Sequence, residues 1–355
     1  MITRWLAALV GFIVVAGIGL VVGNFSEEQA GNSWALIAAI ALAVGFVAYA
    51  AVEYAQTGGF ASISAQFGMR TLALMPVAIA INIILGAAVA NALKVPIYLD
   101  SIGTILVGAL AGPIPGALTG FVANILWQYI IPPPFQGAVA APFAIVAAVI
   151  GLLAGLFARY GALRPRPDRP MGQLIGGAVV TIAVIAGVSW LAFLGYEQII
   201  GPAGFEVASD ETLFVILGWL ALAMVAATVV GLIVLLFVRR DLTAAYVVVA
   251  GLITGVVAAL ISAPISANLF GGVTGAGTDF LVAAFRQAGA DIGAATLGQG
   301  LISDPVDKIT TFFVVYLVLS AMATRTKARF PQGEQLIEGG EEVAEEGGEW
   351  RGAST

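Results

Sequence analysis

The stretch SAPISANLFGGVTGAGTDFLVAAFRQAGADIGAATLGQGLISDPVDK, residues 262–308, is set between an apolar run at 244–263 and another at 305–324. Each run is long enough to cross a hydrocarbon core, which takes about 20 helical residues. The stretch itself gathers Asp279, Arg286, Asp291, Asp304, Asp307 and Lys308 in a chain whose apolar runs are otherwise nearly free of charge. Ionisable groups at membrane depth are costly and tend to be kept for a pathway or a ligand. The flanking runs therefore read as membrane helices, and the charged, glycine-rich connection between them as the first place to expect a ligand.

Working outward, the whole 355-residue chain is 60% hydrophobic and 10% charged, with a mean hydropathy of +1.01. Those values lie far from the balance of a soluble domain. Period-two alternation is hard to find, so the expected class is an all-α membrane protein rather than a barrel. The absence of cysteine and histidine excludes disulfides, thiolate chemistry, imidazole metal ligands and histidine bases. No cofactor, metal or catalytic group is expected, and the chain does not read as an enzyme. The net charge of −6 is misleading. Seven of the 21 acidic residues are the glutamates of the tail, Glu334 to Glu349, and with Arg351 also set aside the body carries 14 acids and 14 bases. The tail, 333–355, reads as solvated and disordered, with a docking element as the alternative.

Ten spans are expected, at about 5–23, 34–52, 72–93, 98–112, 115–131, 138–158, 174–194, 213–238, 244–263 and 305–324. The first has too long an apolar run for a typical signal peptide and is kept as a helix. Arg159, Arg164, Arg166 and Arg169, then Arg239 and Arg240, then Arg325, Lys327 and Arg329 all fall on one side of such a layout. That side is assigned to the cytoplasm with both termini. GPIP at 112–115 ends the short fourth span in a tight turn, because proline cannot continue the helical ladder. PPPFQG at 132–137 forms either a lid or a stiff connector on the opposite side.

Each motif admits a structural and a functional reading. There is no GxxxxGK[ST] phosphate loop, and GGVTGAGTD at 271–279 has the glycines without the lysine. Its glycines suit backbone that bends or approaches a ligand, and irregular backbone near a bilayer must line a cavity. Asp279 and Arg286, two turns apart, share one face of a short amphipathic helix that either flanks a site or lies on the outer leaflet. In SDPVDK, Asp304 or Ser303 can cap the last span, with Pro305 in its first turn and Asp307 at the positive dipole end. Lys308 opposes that dipole unless Asp304, at i, i+4, or a ligand compensates it. KVPIYLDS bunches Lys94, Tyr98 and Asp100 where two spans meet, as a binding cluster or as an interfacial belt. Asn124 and Gln128 lie on one helix face beside Trp127, bridging helices or holding ligand. No span interior before residue 264 is expected to contain an acidic residue. Ala78, Asn82, Gly86 and Ala90 recur every four residues on the third span, a ridge that admits close approach of another helix.

Taken together, LMPVAIAINIILGAAVA, VPIYLDSIGTILVGALAGPIPGALTGFVANILW, AVIGLLAGLFAR and GGVTGAGTD with SDPVDKITTFFVVYLVLSAM resemble the substrate-binding S component of energy-coupling factor (ECF) transporters, the bacterial vitamin importers. The resemblance covers about 72–160 and 244–325. It implies a six-helix bundle that captures a small nutrient outside, capped by the loop between its first two helices and by the fifth-to-sixth connection. Those loops map onto 94–101 and 264–304. It also implies a transmembrane coupling subunit, packed on the small-residue ridge Ala78, Asn82, Gly86 and Ala90, and two cytoplasmic ATPases. The chain is larger than such components. Residues 1–71 add two helices, 161–243 insert two more, and 326–355 form the acidic tail.

The expectation is a multi-pass protein of the bacterial inner membrane that binds a nutrient and catalyses nothing. Lys94, Tyr98, Asp100, Asn124, Trp127 and Gln128 would form one wall of the site, and Asn268, Thr274, Asp279, Arg286, Asp304 and Lys308 the facing wall and lid. The alternatives are an ion-coupled secondary transporter, marked by broken helices and midplane carboxylates, and a membrane sensor or scaffold recruiting partners through its tail.

Overall fold

A computed structural model describes residues 2–22, 30–92, 97–133, 135–199 and 212–338. The described residues form helices joined by turns and irregular connections, without a strand. In chain order the helices are α1 Ile2–Val22, α2 Ala30–Thr57, α3 Ala61–Ser64, α4 Met69–Ala92, α5 Ile102–Ala111, α6 Pro113–Tyr129, α7 Ala144–Arg159, α8 Met171–Ile199, α9 Thr212–Ile233, α10 Thr243–Phe270, α11 Asp279–Gln287, α12 Ile292–Ala321 and α13 Thr324–Lys327. Segments of five of them are long and apolar enough to cross a membrane, at 40–57, 69–89, 141–159, 171–190 and 243–270. The chain is a helical membrane protein.

Six helices, α4, α5, α6, α7, α10 and α12, pack on one another, and α10 against α12 is the most extensive contact. Around them, α1 packs on α2, α2 on α10 and α7, α8 on α10 and α12, and α9 on α4 and α12. Small residues set the spacing. A Cβ built on Gly151 of α7 would stand 2.2 Å from the backbone of Gly116 on α6, so these two helices touch main chain to main chain. Short α5, buried along its whole length, is enclosed by the same group.

Three expectations about helix limits are corrected. The spans expected to end at 263 and to begin at 305 both run further, through prolines: α10 continues past Pro264 to Phe270, and α12 begins 13 residues before Pro305. Neighbouring helices and polar side chains re-satisfy the carbonyl that a buried proline frees, so proline stops a membrane helix less reliably than a soluble one. The cap of α12 is Asp291, whose side chain accepts from Ala294 N at 2.8 Å. Asp304, Asp307 and Lys308 are therefore buried mid-helix and cap nothing. The second span also runs further than expected, past 52 to Thr57, and so takes in an acidic residue. Glu53 of α2 is fully buried and pairs with Arg4 at 3.2 Å.

The opposite end of the bundle is closed by the chain after α12. Gln332 N donates to Leu110 O, Arg164 donates to Gln335, and Leu336 is buried in the main core. Residues 333–338, read from sequence as solvated tail, thus form a packed cover anchored by Leu336 and Phe330; 339–355 lie outside the described residues. Burial pushes the Lys327 ammonium down from its ordinary pKa, and its Nζ lies 3.5 Å from Leu336 O.

Gly151→Ala is expected to destabilise the detergent-solubilised protein by about 1–3 kcal/mol through overpacking. Gly176→Ala, where a Cβ meets nothing within 4 Å, is expected to leave the thermal midpoint in place.

Candidate functional site

A cavity of about 280 Å³ opens among α4, α6, α7, α10, α12 and three connections, 97–101, 136–140 and 274–277. Each connection has a local reason for its shape. Asp279 folds the glycine-rich turn by accepting from Thr274 N at 2.9 Å, Gly275 N at 2.7 Å and Thr274 Oγ1 at 2.9 Å. Gly271, Gly272 and Gly275 supply the left-handed backbone this turn needs. The proline segment is tied to α6: Trp127 Nε1 donates to Phe135 O at 2.7 Å, Gln136 Nε2 to Gln128 O at 2.9 Å, and Ala141 N to Gln128 Oε1 at 2.7 Å.

The 97–101 turn is fixed from α12. Asp307 Oδ1 accepts from Tyr98 N at 3.0 Å and Leu99 N at 2.7 Å. Leu99 is held at φ 54°, a left-handed conformation that costs an L-residue about 1–2 kcal/mol. Behind it, Lys308 Nζ contacts Asp307 Oδ2, donates to Ser101 Oγ at 2.9 Å and lies 3.8 Å from Asp100 Oδ1. Tyr98 completes the floor. Its hydroxyl shares a hydrogen bond with Thr278 Oγ1 at 3.0 Å and accepts from Gln299 Nε2 at 2.9 Å.

The cavity brings together seven of the twelve expected residues: Tyr98, Asp100, Asn124, Trp127, Thr274, Asp304 and Lys308. Lys94 lies outside the described residues. Four others are elsewhere. Gln128 serves the backbone of the proline segment, exposed Asn268 donates to Pro264 O at 2.8 Å, Asp279 organises its own turn, and exposed Arg286 donates to Ala290 O at 3.0 Å. The charges of α11 hold local backbone, while Leu281, Val282 and Ala284 bury its other face against the bundle.

Sequence reasoning missed Ser101, Ser262, Ser266, Gln299 and the aromatic wall residue Phe143. Gln299 has a legible signal: it falls four residues before Ser303, to which it donates at 2.7 Å. The serines of SAPIS, four apart, carried the same spacing cue.

The small-residue ridge of α4 is consumed within the chain. Ala78 packs against α5, where a Cβ on Gly103 would meet its carbonyl oxygen at 2.1 Å. Asn82 donates to Thr104 Oγ1 and accepts from Gly103 N, both at 2.7 Å. Gly86 makes room for the Trp127 ring, which a Cβ would meet at 2.6 Å. The expected ridge for a coupling partner is thus turned inward over these three residues; the Ala90 side chain lies outside the described ones.

No protein-family model, curated protein or solved structure matches the chain. The geometry alone says what the site can do. It offers a partly open pocket, apolar and aromatic on its walls and polar on its floor, which is the composition of small-molecule sites.

Asp307→Ala removes the acceptor of two buried N–H groups and the closest partner of Lys308. A loss of about 3–5 kcal/mol is expected, the usual result of breaking a buried ion pair from one side. Asp307→Asn, which keeps an acceptor oxygen, is expected to lose less; thermal unfolding in detergent compares the two.

Proposed function

We propose that the chain is the membrane-embedded substrate-binding subunit of a small-nutrient importer, similar to an ECF S component and energised by separate coupling and ATPase subunits in the bacterial inner membrane. The carrying observation is the cavity itself, which is bounded by the connection between α4 and α5 and by the connection between α10 and α12. Those are the two loops expected to cap a ligand from the sequence resemblance. The mutual packing of α4, α5, α6, α7, α10 and α12 supports the same reading. On it, both termini and the 323–338 cover face the cytoplasm, the cavity faces outward, and all ten expected spans cross or enter the bilayer. Because Ala78, Asn82 and Gly86 face inward, a coupling subunit would meet other surfaces, such as the exposed Leu72, Val77 and Ile84 of α4.

A second reading is supported by the charges inside α12. Asp304, Asp307 and Lys308 stand mid-helix beside Pro305, an arrangement suited to an ion-coupled secondary transporter. Either mode requires a bound solute.

Full-length chain purified gently from native membranes is expected to carry a small molecule detectable by native mass spectrometry. Asn124→Ala combined with Trp127→Ala is expected to lower its occupancy at least tenfold. Co-purifying ATPases support the importer. Uptake of the retained solute into liposomes holding this chain alone, driven by an ion gradient, would overturn it in favour of the second reading.

A further inference from the structure

The charges around the inner end of the cavity do not balance. Asp100, Asp304 and Lys308 line it, and Asp307 stands behind Lys308. Asp307 is fully buried and both of its oxygens are engaged, one by the Tyr98 and Leu99 amides and the other by Lys308. Lys308 is held by that contact and by Ser101. Asp307 and Lys308 thus form a neutral unit, and Asp100 and Asp304 remain as lining carboxylates. Among the described lining residues Lys308 is the sole cation.

An uncompensated carboxylate in a low-dielectric interior is strongly disfavoured. Asp304 is only 6% exposed. Such a group is relieved by taking up a proton or by a positive charge beside it, and for the positive charge two sources can be set aside. Arg286 is bound to backbone away from the cavity. Among the described residues no group of three or more metal-ligating side chains converges to hold a metal ion. Among the described residues no other cation reaches Asp304, and the source taken here is the solute. The walls suit an organic one: Trp127 and Phe143 face the same space, and an aromatic ring attracts a cation or stacks on a planar body.

Resting on the ligand-site reading above, we infer that the solute is a small organic cation, a protonated amine or cationic heteroaromatic ring, with its charge between Asp100 and Asp304 and its apolar body against Trp127. Asp100, 27% exposed and 3.8 Å from Lys308, meets the cation at the cavity surface, and Asp304 meets it at depth. An anion of equal shape would be repelled by the same pair.

The test uses three probes of matched shape, benzylammonium, benzyl alcohol and benzoate, titrated into the full chain in lipid nanodiscs and read by thermal shift. Benzylammonium is expected to stabilise saturably, at a half-saturating concentration at least tenfold below the other two. Asp304→Asn should reduce that preference at least fivefold, and Asp168→Asn, exposed at the far end of the bundle, should leave it unchanged. Should Asp304→Asn fail to fold, Asp100→Asn at the partly exposed carboxylate gives the same readout. Binding without a preference for the cation, a preference for benzoate, or a preference surviving both Asp→Asn changes would overturn the charge inference alone. No saturable binding by any probe would overturn it together with the ligand-site reading.

Discussion

The contact of Lys308 and Asp307 with the 97–101 turn holds the site together. It joins the middle of α12 to the entrance of α5, more than 200 residues earlier in the chain, through two backbone amides, a serine hydroxyl and a carboxylate. A buried ion pair is poor evidence of stability by itself, since desolvation offsets much of the attraction. Here its value is positional. Asp307 holds Leu99 in a left-handed conformation that the residue would not choose, and the turn so fixed presents Tyr98 and Asp100 to the cavity. Strain of this kind persists where surrounding contacts over-determine it, and it concentrates at functional sites.

Close main-chain packing makes that placement rigid. α6 and α7 meet at Gly116 and Gly151, and α10 meets α12 where a Cβ on Gly255 would stand 2.6 Å from Pro305. Such contacts suit a membrane interior, where packing rather than hydrophobic segregation brings helices together. At Pro305 it is the main chain of α12 that lies against Gly255.

Fold class was legible in the sequence because hydropathy reports helices and spans directly. So were the residues that line the cavity from places where spans meet, Tyr98, Asp100, Asn124 and Trp127. Helix ends were less legible. Pro305 carries a helix-start signal calibrated on soluble helices, and taken literally it turns the middle of α12 into its beginning. That error made caps of Asp304 and Asp307, which are interior groups. The misplacement of Asp279, Arg286 and Asn268 has another cause: a polar side chain four or five residues from an unsatisfied amide or carbonyl has a local use, and composition cannot distinguish that use from ligand binding. The ridge of α4 shows the same limit, since small residues announce close approach without naming the neighbour.

The account depends most on the space between the three connections and α12 being a solute-accessible cavity. The chain has no cysteine, so a single introduced thiol reports on it without background. Ser262→Cys lines the cavity, whereas Ala259→Cys, one turn away, is packed against Gly300 with no exposure. The rate of modification by a small water-soluble thiosulfonate in intact nanodiscs is the direct measurement. The account predicts reaction at residue 262 at least tenfold faster than at 259, and equal, negligible rates at both positions would contradict it.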